Sequence, residues 1–309
     1  MNMLLSIPFP SWLNPEIIPG LPVRWYGLMY IFAFATAFLL YRKQVKERNF
    51  PMSDENLSSL FFWGILSLLV GARLFSTIIY HPDNTYILRP WLIFWPFRDG
   101  RFTGLQGMSY HGGAFFGLAS VIVWSKLKGY SFREVGDMFA AAIPLGFTFG
   151  RLGNFFNAEL YGRVTDVPWG MIFPGQSVTR HPSQLYQAFF EGIVLWAIIW
   201  FFRNRKPFKG FLVGLYFLGY GIFRFFIEYF REPDFHQPFN SVFTTGQVLC
   251  LFMIAFGIVW LIIASMLPNR VPIRVYDDTH KNPHYVKPIS KEEAAAQRNR
   301  QRKLRKRLK

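Results

Sequence analysis

Cysteine is nearly absent and acidic residues are scarce: Cys250 is the single thiol, and 18 Asp and Glu stand against 34 Lys and Arg. One thiol excludes a disulfide framework, a cysteine-based metal cluster and dithiol redox chemistry, and its place inside an apolar run reads as packing. The first residues, Met1-Asn2-Met3-Leu4-Leu5-Ser6-Ile7-Pro8, carry no basic n-region, and Pro8 and Pro10 interrupt their short apolar stretch. No cleaved signal peptide is therefore expected, and the first span is expected to direct insertion. Internal repeats of the kind that halve a chain are not evident either.

What is abundant is apolar surface. Hydrophobic residues make up 51% of the chain, with 36 Phe and 10 Trp, and they fall in blocks about as long as a bilayer is thick. The expected fold class is all-α, a polytopic membrane protein of about seven transmembrane helices near 24–41, 57–80, 110–127, 136–153, 185–202, 211–228 and 243–267. Glu134, Asp137 and Gly146 make the fourth the least apolar, and Asp137 reads as an interfacial residue more than as a buried polar contact. The loops after the first, third and fifth spans, together with residues 269–309, hold 24 of the 34 basic residues. Cytoplasmic segments carry such an excess, so the N-terminus is expected outside and the C-terminus in the cytoplasm.

The expected organisation is a transmembrane domain over 1–268 and a basic cytoplasmic tail over 269–309. The tail holds thirteen basic and four acidic residues, with Pro272, Pro283 and Pro288 extending it before a short helix near Ser290 to Ala296. Such a segment orients the protein and rests on anionic headgroups, each Lys or Arg contributing about 1 kcal/mol near the surface. No aromatic residue is interleaved with its Arg-Lys-Leu-Arg-Lys-Arg run, as stacking on bases would need, so nucleic acid is not an expected partner.

The polar residues inside the apolar blocks are few and one-sided. Tyr26 opens the first span, Tyr110-His111-Gly112-Gly113 the third and His181-Pro182-Ser183-Gln184 the fifth, while Arg151 to Glu159 close the fourth and Arg224, Glu228 and Arg231 close the sixth. With the topology above, all these groups lie at the outer end. An ionised side chain near the bilayer centre costs about 2.5 to 3.5 kcal/mol on insertion scales, so such residues read as a site. Tyr220, Arg224, Glu228 and Arg231 fall within about 80° of one helical face, given 100° per residue. An Arg224–Glu228 pair that only neutralises itself is one reading; a guanidinium clamp on a phosphate is the other. Gly112 and Gly113 allow either close helix packing or ligand approach to the backbone. His111, beside them, is a candidate base for a thiol of pKa about 8.5. His181 reads as a helix-start bend, and His81 and His236 as solvated.

These pieces in order resemble the phosphatidylglycerol:prolipoprotein diacylglyceryl transferases of bacterial inner membranes. The resemblance runs through Arg24-Trp25-Tyr26-Gly27, Gly71-Ala72-Arg73-Leu74, Ser109-Tyr110-His111-Gly112-Gly113, and the stretch from Gly150 to Glu159. It continues through His181-Pro182-Ser183-Gln184-Leu185-Tyr186 and Tyr220-Gly221 with Arg224, Glu228 and Arg231-Glu232-Pro233-Asp234. The 150–159 stretch looks like the family signature. Departures are Gln187, where the family usually has Glu, and Ala114-Phe115-Phe116 after the His-Gly-Gly turn; the tail from 269 lies outside the resemblance.

The resemblance implies transfer of a diacylglyceryl group from phosphatidylglycerol to the lipobox cysteine thiol of a prolipoprotein signal peptide, forming a thioether and releasing glycerol phosphate. This is the first step of bacterial lipoprotein maturation. It implies no cofactor and no metal, membrane lipids as surroundings, and a multi-pass protein of the inner membrane whose site faces the periplasm. His111, Arg224, Glu228, Tyr26 and Glu159 become the candidate catalytic residues. Arg151, Asn154, Asn157, Gly112, Gly113, Tyr220 and Arg231 become candidates for binding the lipid. A lipid or anion transporter is the main rival, but it predicts midplane charges between repeats. A scaffold whose polar residues only lock helices explains the glycines and not the one-sided arginines.

Overall fold

The computed structural model describes residues 7–18, 24–81, 85–98, 100–102, 104, 107–232 and 243–267; the expected tail over 269–309, His236 and the Pro233-Asp234 part of the last motif lie outside them. The fold is helical. Its elements are α1 Trp25–Glu47, α2 Asp54–Leu74 running into a π-turn Phe75–Ile79, α3 Thr85–Leu88, α4 Tyr110–Leu127, α5 Phe132–Ala140 and α6 Ile143–Phe156. Then come α7 Ser183–Gln187, a π-helical segment Ala188–Val194, α8 Leu195–Phe202, α9 Phe211–Ile227 and α10 Thr245–Met266. Two short pairings decorate one end, β1 (Ile7–Pro8) parallel to β4 (Met171–Ile172) and β2 (Phe97–Arg98) antiparallel to β3 (Arg101–Phe102).

Local chemistry sets the helix starts. Ser53 accepts the Asn56 amide at 3.1 Å ahead of Asp54 and Glu55, acidic residues that suit the positive end of α2. Thr244 and Gln247 form a reciprocal capping box at the start of α10. Three helical stretches, Asp54–Ile79, Ser183–Phe202 and Thr245–Met266, are long and apolar enough to cross a membrane by length and composition, and Phe211–Ile227 is a shorter apolar helix.

The expected fourth span, 136–153, is not one helix. Pro144 lacks an amide donor and its ring clashes with the carbonyl four residues back, so α5 stops at Ala140 and α6 begins after the Ala141-Ala142 turn. Asp137 is also corrected. It is fully buried, accepting Lys206 Nζ at 2.9 Å and the amides of Gly210, Leu212 and Val213 at 2.9, 2.9 and 3.2 Å. Those are amides at the start of α9, which has no helical partners for them, so a carboxylate from α5 caps α9.

Antiparallel pairs organise the bundle. On α2 and α4, Gly71 lies against Gly112 and Phe116, and the Trp124 indole donates to Ser59 at 3.1 Å. On α1 and α6, Gly146 meets Ala33 and Gly153 meets Tyr26 and Met29; on α9 and α10, Gly214 meets Trp260 and Leu261, and Gly221 meets Ile254. Cys250 is buried in this last seam, as expected of a packing residue. An aromatic core of Tyr41, Leu60, Phe61, Trp124, Tyr130 and Met138 fills the end bearing the 48–54 and 128–132 loops, and a smaller one of Leu13, Phe155, Met171 and Phe173 sits under the opposite end.

Candidate active site

At that opposite end the polar residues gather, and α6 supplies the first chain of contacts. Arg151 Nη1 donates to Asn154 Oδ1 at 3.2 Å, and Asn154 Nδ2 donates to Glu159 Oε1 at 2.8 Å. The Arg151 guanidinium lies 4.8 Å above the Phe147 ring, so its side chain folds back along α6. Phe147 in turn sets its ring edge on Tyr220 of α9 at 5.8 Å. This is how α6 and α9 meet at the site.

The turn after α6 is conformationally unusual. Ala158 and Leu160 have φ of 52° and 55°, so Glu159 stands between two left-handed non-glycine residues. Such positions cost about 1 to 3 kcal/mol each and persist only when neighbours enforce them. The neighbours are visible: Gln184 Nε2 donates to the Glu159 carbonyl at 2.6 Å and Ser183 Oγ to the Leu160 carbonyl at 3.2 Å. Both side chains are fully buried, which gives the Ser183-Gln184 pair its job. Further backbone bonds tie Gly162 and Arg163 to His181 and Phe230, at 2.8 to 3.0 Å, and Arg163 Nε to the Arg231 carbonyl at 2.7 Å.

On α9 the expected face holds for Tyr220 and Arg224 up to the C-cap Glu228, and Arg231, beyond the helix end, still returns to the same carboxylate. Arg224 Nη1 lies 2.7 Å from Glu228 Oε2, and Arg231 Nη1 lies 3.5 Å from the same oxygen. Thr244 Oγ1 donates to the other Glu228 oxygen at 3.3 Å, and Gly246 leaves room for that carboxylate at the start of α10. The pairing reading of Arg224 and Glu228 is therefore part of the answer. Arg224 has further capacity, because it also lies within electrostatic reach of Glu191 and Tyr220.

The remaining expected residues divide. Tyr26 shares a 3.0 Å hydrogen bond with Tyr30 and feels the charges of Glu159 and Arg151, so it belongs to the cluster. Asn157 caps α6, and its buried Oδ1 has no hydrogen-bond partner among the described residues. His111 is exposed, with its Nδ1 3.1 Å from the Tyr80 hydroxyl; among the described residues no ion pair or hydrogen bond joins it to the arginines. Gly112 and Gly113 sit at a close helix contact. A Cβ on Gly112 would collide with Gly71 and Phe75, and both amides are taken by Ser109, at 3.2 Å to its Oγ and 3.0 Å to its carbonyl. The close-packing reading of these glycines accounts for both their contacts and their amides. His181 hydrogen-bonds Tyr186 at 3.2 Å, and burial lowers its pKa against the opposing pull of Asp166.

Two residues outside the candidate catalytic and binding sets join the cluster, Tyr110, named in the sequence only as part of the polar group opening the third span, and Glu191, which the sequence reading did not single out. Tyr110 is two-thirds exposed and within electrostatic reach of Arg151, Arg224 and Glu191. Glu191, fully buried in the π-helical segment, interacts with Arg224, Arg151 and Tyr220. It is the one acidic or basic side chain in the otherwise apolar stretch 183–202, a signal that was available. Among the described residues no group of three or more His, Cys, Asp and Glu is arranged to hold a metal ion.

Comparison with known proteins gives this geometry a family. The prolipoprotein diacylglyceryl transferase profile matches residues 15–263. The phosphatidylglycerol–prolipoprotein diacylglyceryl transferase of Treponema denticola is 48% identical over 87% of this chain and 97% of its own length, and that of Treponema pallidum 44% identical over 88% and 99%. The enzyme of that name from Chlorobaculum tepidum is 43% identical over 81% of the chain and 89% of its own length. A match covering four fifths of the chain and taking in every polar group described above leaves one conclusion: the chain belongs to the prolipoprotein diacylglyceryl transferase family.

Proposed function

We propose that this chain, a bacterial membrane protein, is a transferase that moves the diacylglyceryl group of phosphatidylglycerol onto the lipobox cysteine thiol of a prolipoprotein, with the cluster around Arg151 and Arg224 as its site. The observation that carries the reading is that Arg151 from α6 and Arg224 from α9 both lie within electrostatic reach of the buried Glu191 and Tyr220, in a chain of this family. Two guanidinium groups from separate helices suit the oxygens of a phosphodiester, and in a space poor in water their attraction is felt strongly.

The reaction follows from those positions. A base takes the proton of the substrate thiol, the sulfur attacks the glyceryl carbon bonded to the phosphate oxygen, and the C–O bond breaks as the S–C bond forms. Glycerol phosphate leaves with the electron pair. Arg151 and Arg224 stabilise the charge that collects on the leaving phosphate, a contribution realised most fully in the transition state. Asn154 and Glu159 fix Arg151; Glu228 fixes Arg224 and Arg231; Tyr26 and Asn157 complete the headgroup contacts. His111 is the candidate base, through Nε2. That role requires Nδ1–H to donate to the Tyr80 hydroxyl, because the opposite polarity puts the proton on Nε2.

The excess of basic residues in alternate loops supports seven spans in the inner membrane, the N-terminus outside and the site opening to the periplasm, where a lipobox cysteine arrives during translocation. Residues 1–268 are then the catalytic unit and 269–309 a cytoplasmic tail. The test is direct: purified protein is mixed with phosphatidylglycerol labelled in its acyl chains and a lipobox peptide bearing Cys or Ser. Label is expected on the Cys peptide alone. Absence of transfer to Cys, under conditions where a relative of this family is active, rules the reading out.

A further inference from the structure

Glu191 sits where an ionised group is least affordable. It is fully buried, it lies in the middle of α7 to α8, and neither carboxylate oxygen makes a well-formed hydrogen bond among the described residues. Burying an unpaired carboxylate costs several kcal/mol, so compensation has to come from nearby charge. That charge is present: Arg224 and Arg151 are its strongest electrostatic partners, and the Tyr220 hydroxyl approaches it. The other two carboxylates are already committed, Glu159 to Asn154 and Glu228 to Arg224, Arg231 and Thr244.

The backbone places Glu191 there by two devices. Residues 188–194 are π-helical, a widening that re-aims side chains and frees a carbonyl from regular pairing. Thr148 Oγ1 of α6 donates to the Ala188 carbonyl at 3.2 Å, and Gly192 presses on Thr148 so closely that a Cβ there would overlap its hydroxyl. Glu191, next to Gly192, is thus held against α6, from which Arg151 folds back over Phe147. On the other side Tyr220 and Arg224 present the polar face of α9. Glu191 therefore faces both arginines from a third helical segment, within electrostatic reach of each and without an ion pair to either among the described residues.

We infer that Glu191 is a positioning residue, whose carboxylate holds the guanidinium groups of Arg151 and Arg224 at the separation that receives one phosphodiester. The inference rests on the proposed reading of the site and assigns it a residue without contact to the reacting atoms. With the carboxylate in place, two like charges keep a fixed spacing before the lipid arrives, and the transition state gains from arginines that need not reorganise.

The experiment compares Glu191→Gln, which keeps shape and removes charge, with Glu191→Asp, which keeps charge on a shorter arm. In the phosphatidylglycerol transfer assay, Glu191→Gln is expected to lower kcat by about tenfold or more with KM for the lipid changed far less, and Glu191→Asp to retain more of kcat than Glu191→Gln. Yield and thermal midpoint report folding separately. A Glu191→Gln protein with wild-type kcat, or a loss in both variants that only tracks the loss of folded protein, overturns the inference. A wild-type protein that transfers nothing fails the functional reading instead, and a second measurement then decides on Glu191. Phenylglyoxal labelling of Arg151 and Arg224, followed by mass spectrometry, is expected to be several-fold faster in Glu191→Gln. Unchanged labelling contradicts the proposed electrostatic hold.

Discussion

Asn154 receives a hydrogen bond from Arg151 at 3.2 Å through Oδ1 and gives one to Glu159 at 2.8 Å through Nδ2. A carboxamide is the side chain of this size that can accept on one atom and donate on the other. Asn154→Asp keeps the acceptor for Arg151 but sets two carboxylates against each other. We therefore expect Asn154→Asp to be no better than Asn154→Ala, each losing about tenfold or more in kcat/KM while remaining folded, because a displaced catalytic group costs on that scale. The phosphatidylglycerol transfer assay with both purified variants checks this. An active Asn154→Asp protein means that the relay is not needed.

Asp137 makes the opposite prediction, one about stability. Its carboxylate serves Lys206 and three amides at the start of α9, at the end of the bundle opposite the site. Removing one partner of a buried charged network costs about 3 to 5 kcal/mol. Asp137→Ala should lower the thermal midpoint by many degrees in detergent or fail to accumulate, whereas whatever folds should turn over at the wild-type rate per folded molecule. A stable Asp137→Ala protein contradicts the capping role.

His111 and Tyr80 share one hydrogen bond, and its polarity decides whether Nε2 can take a proton. If His111 is the base, Tyr80→Phe frees the ring to adopt either tautomer and should lower kcat several-fold, and His111→Gln should lower it by about 10²-fold or more, the scale of lost general-base catalysis. Wild-type turnover by His111→Gln removes His111 from the chemistry and directs attention to the carboxylates.

Much of this was legible in the sequence, and the exceptions have physical causes. Six of the seven apolar blocks appear as helical segments because apolar length and loop chemistry are local properties; the fourth is broken before α6, which was also written locally, in Pro144, but hydropathy averages over it. The face formed by Tyr220, Arg224 and Glu228 could be read because helical period fixes it. Asp137 could not, since its partners lie about seventy residues away at the start of another helix. The amides of Gly112 and Gly113 are used by Ser109, three and four residues before them, a cap readable in principle but ambiguous beside a His-Gly-Gly turn. Glu191 was missed for lack of a motif around it: only the meeting of three helices shows what a lone carboxylate in an apolar stretch is for.

The central claim is that Arg151 and Arg224 act together on one phosphate, and a double-mutant cycle on kcat/KM for phosphatidylglycerol tests it most directly. Arg151→Lys, Arg224→Lys and the double variant are assayed with the lipobox Cys peptide, at equal amounts of folded protein. Groups that act as a unit are non-additive, so each single change is expected to cost about 10²-fold or more and the double change little beyond the larger of the two. Losses that multiply, or a single variant near wild type, would contradict a shared phosphate site.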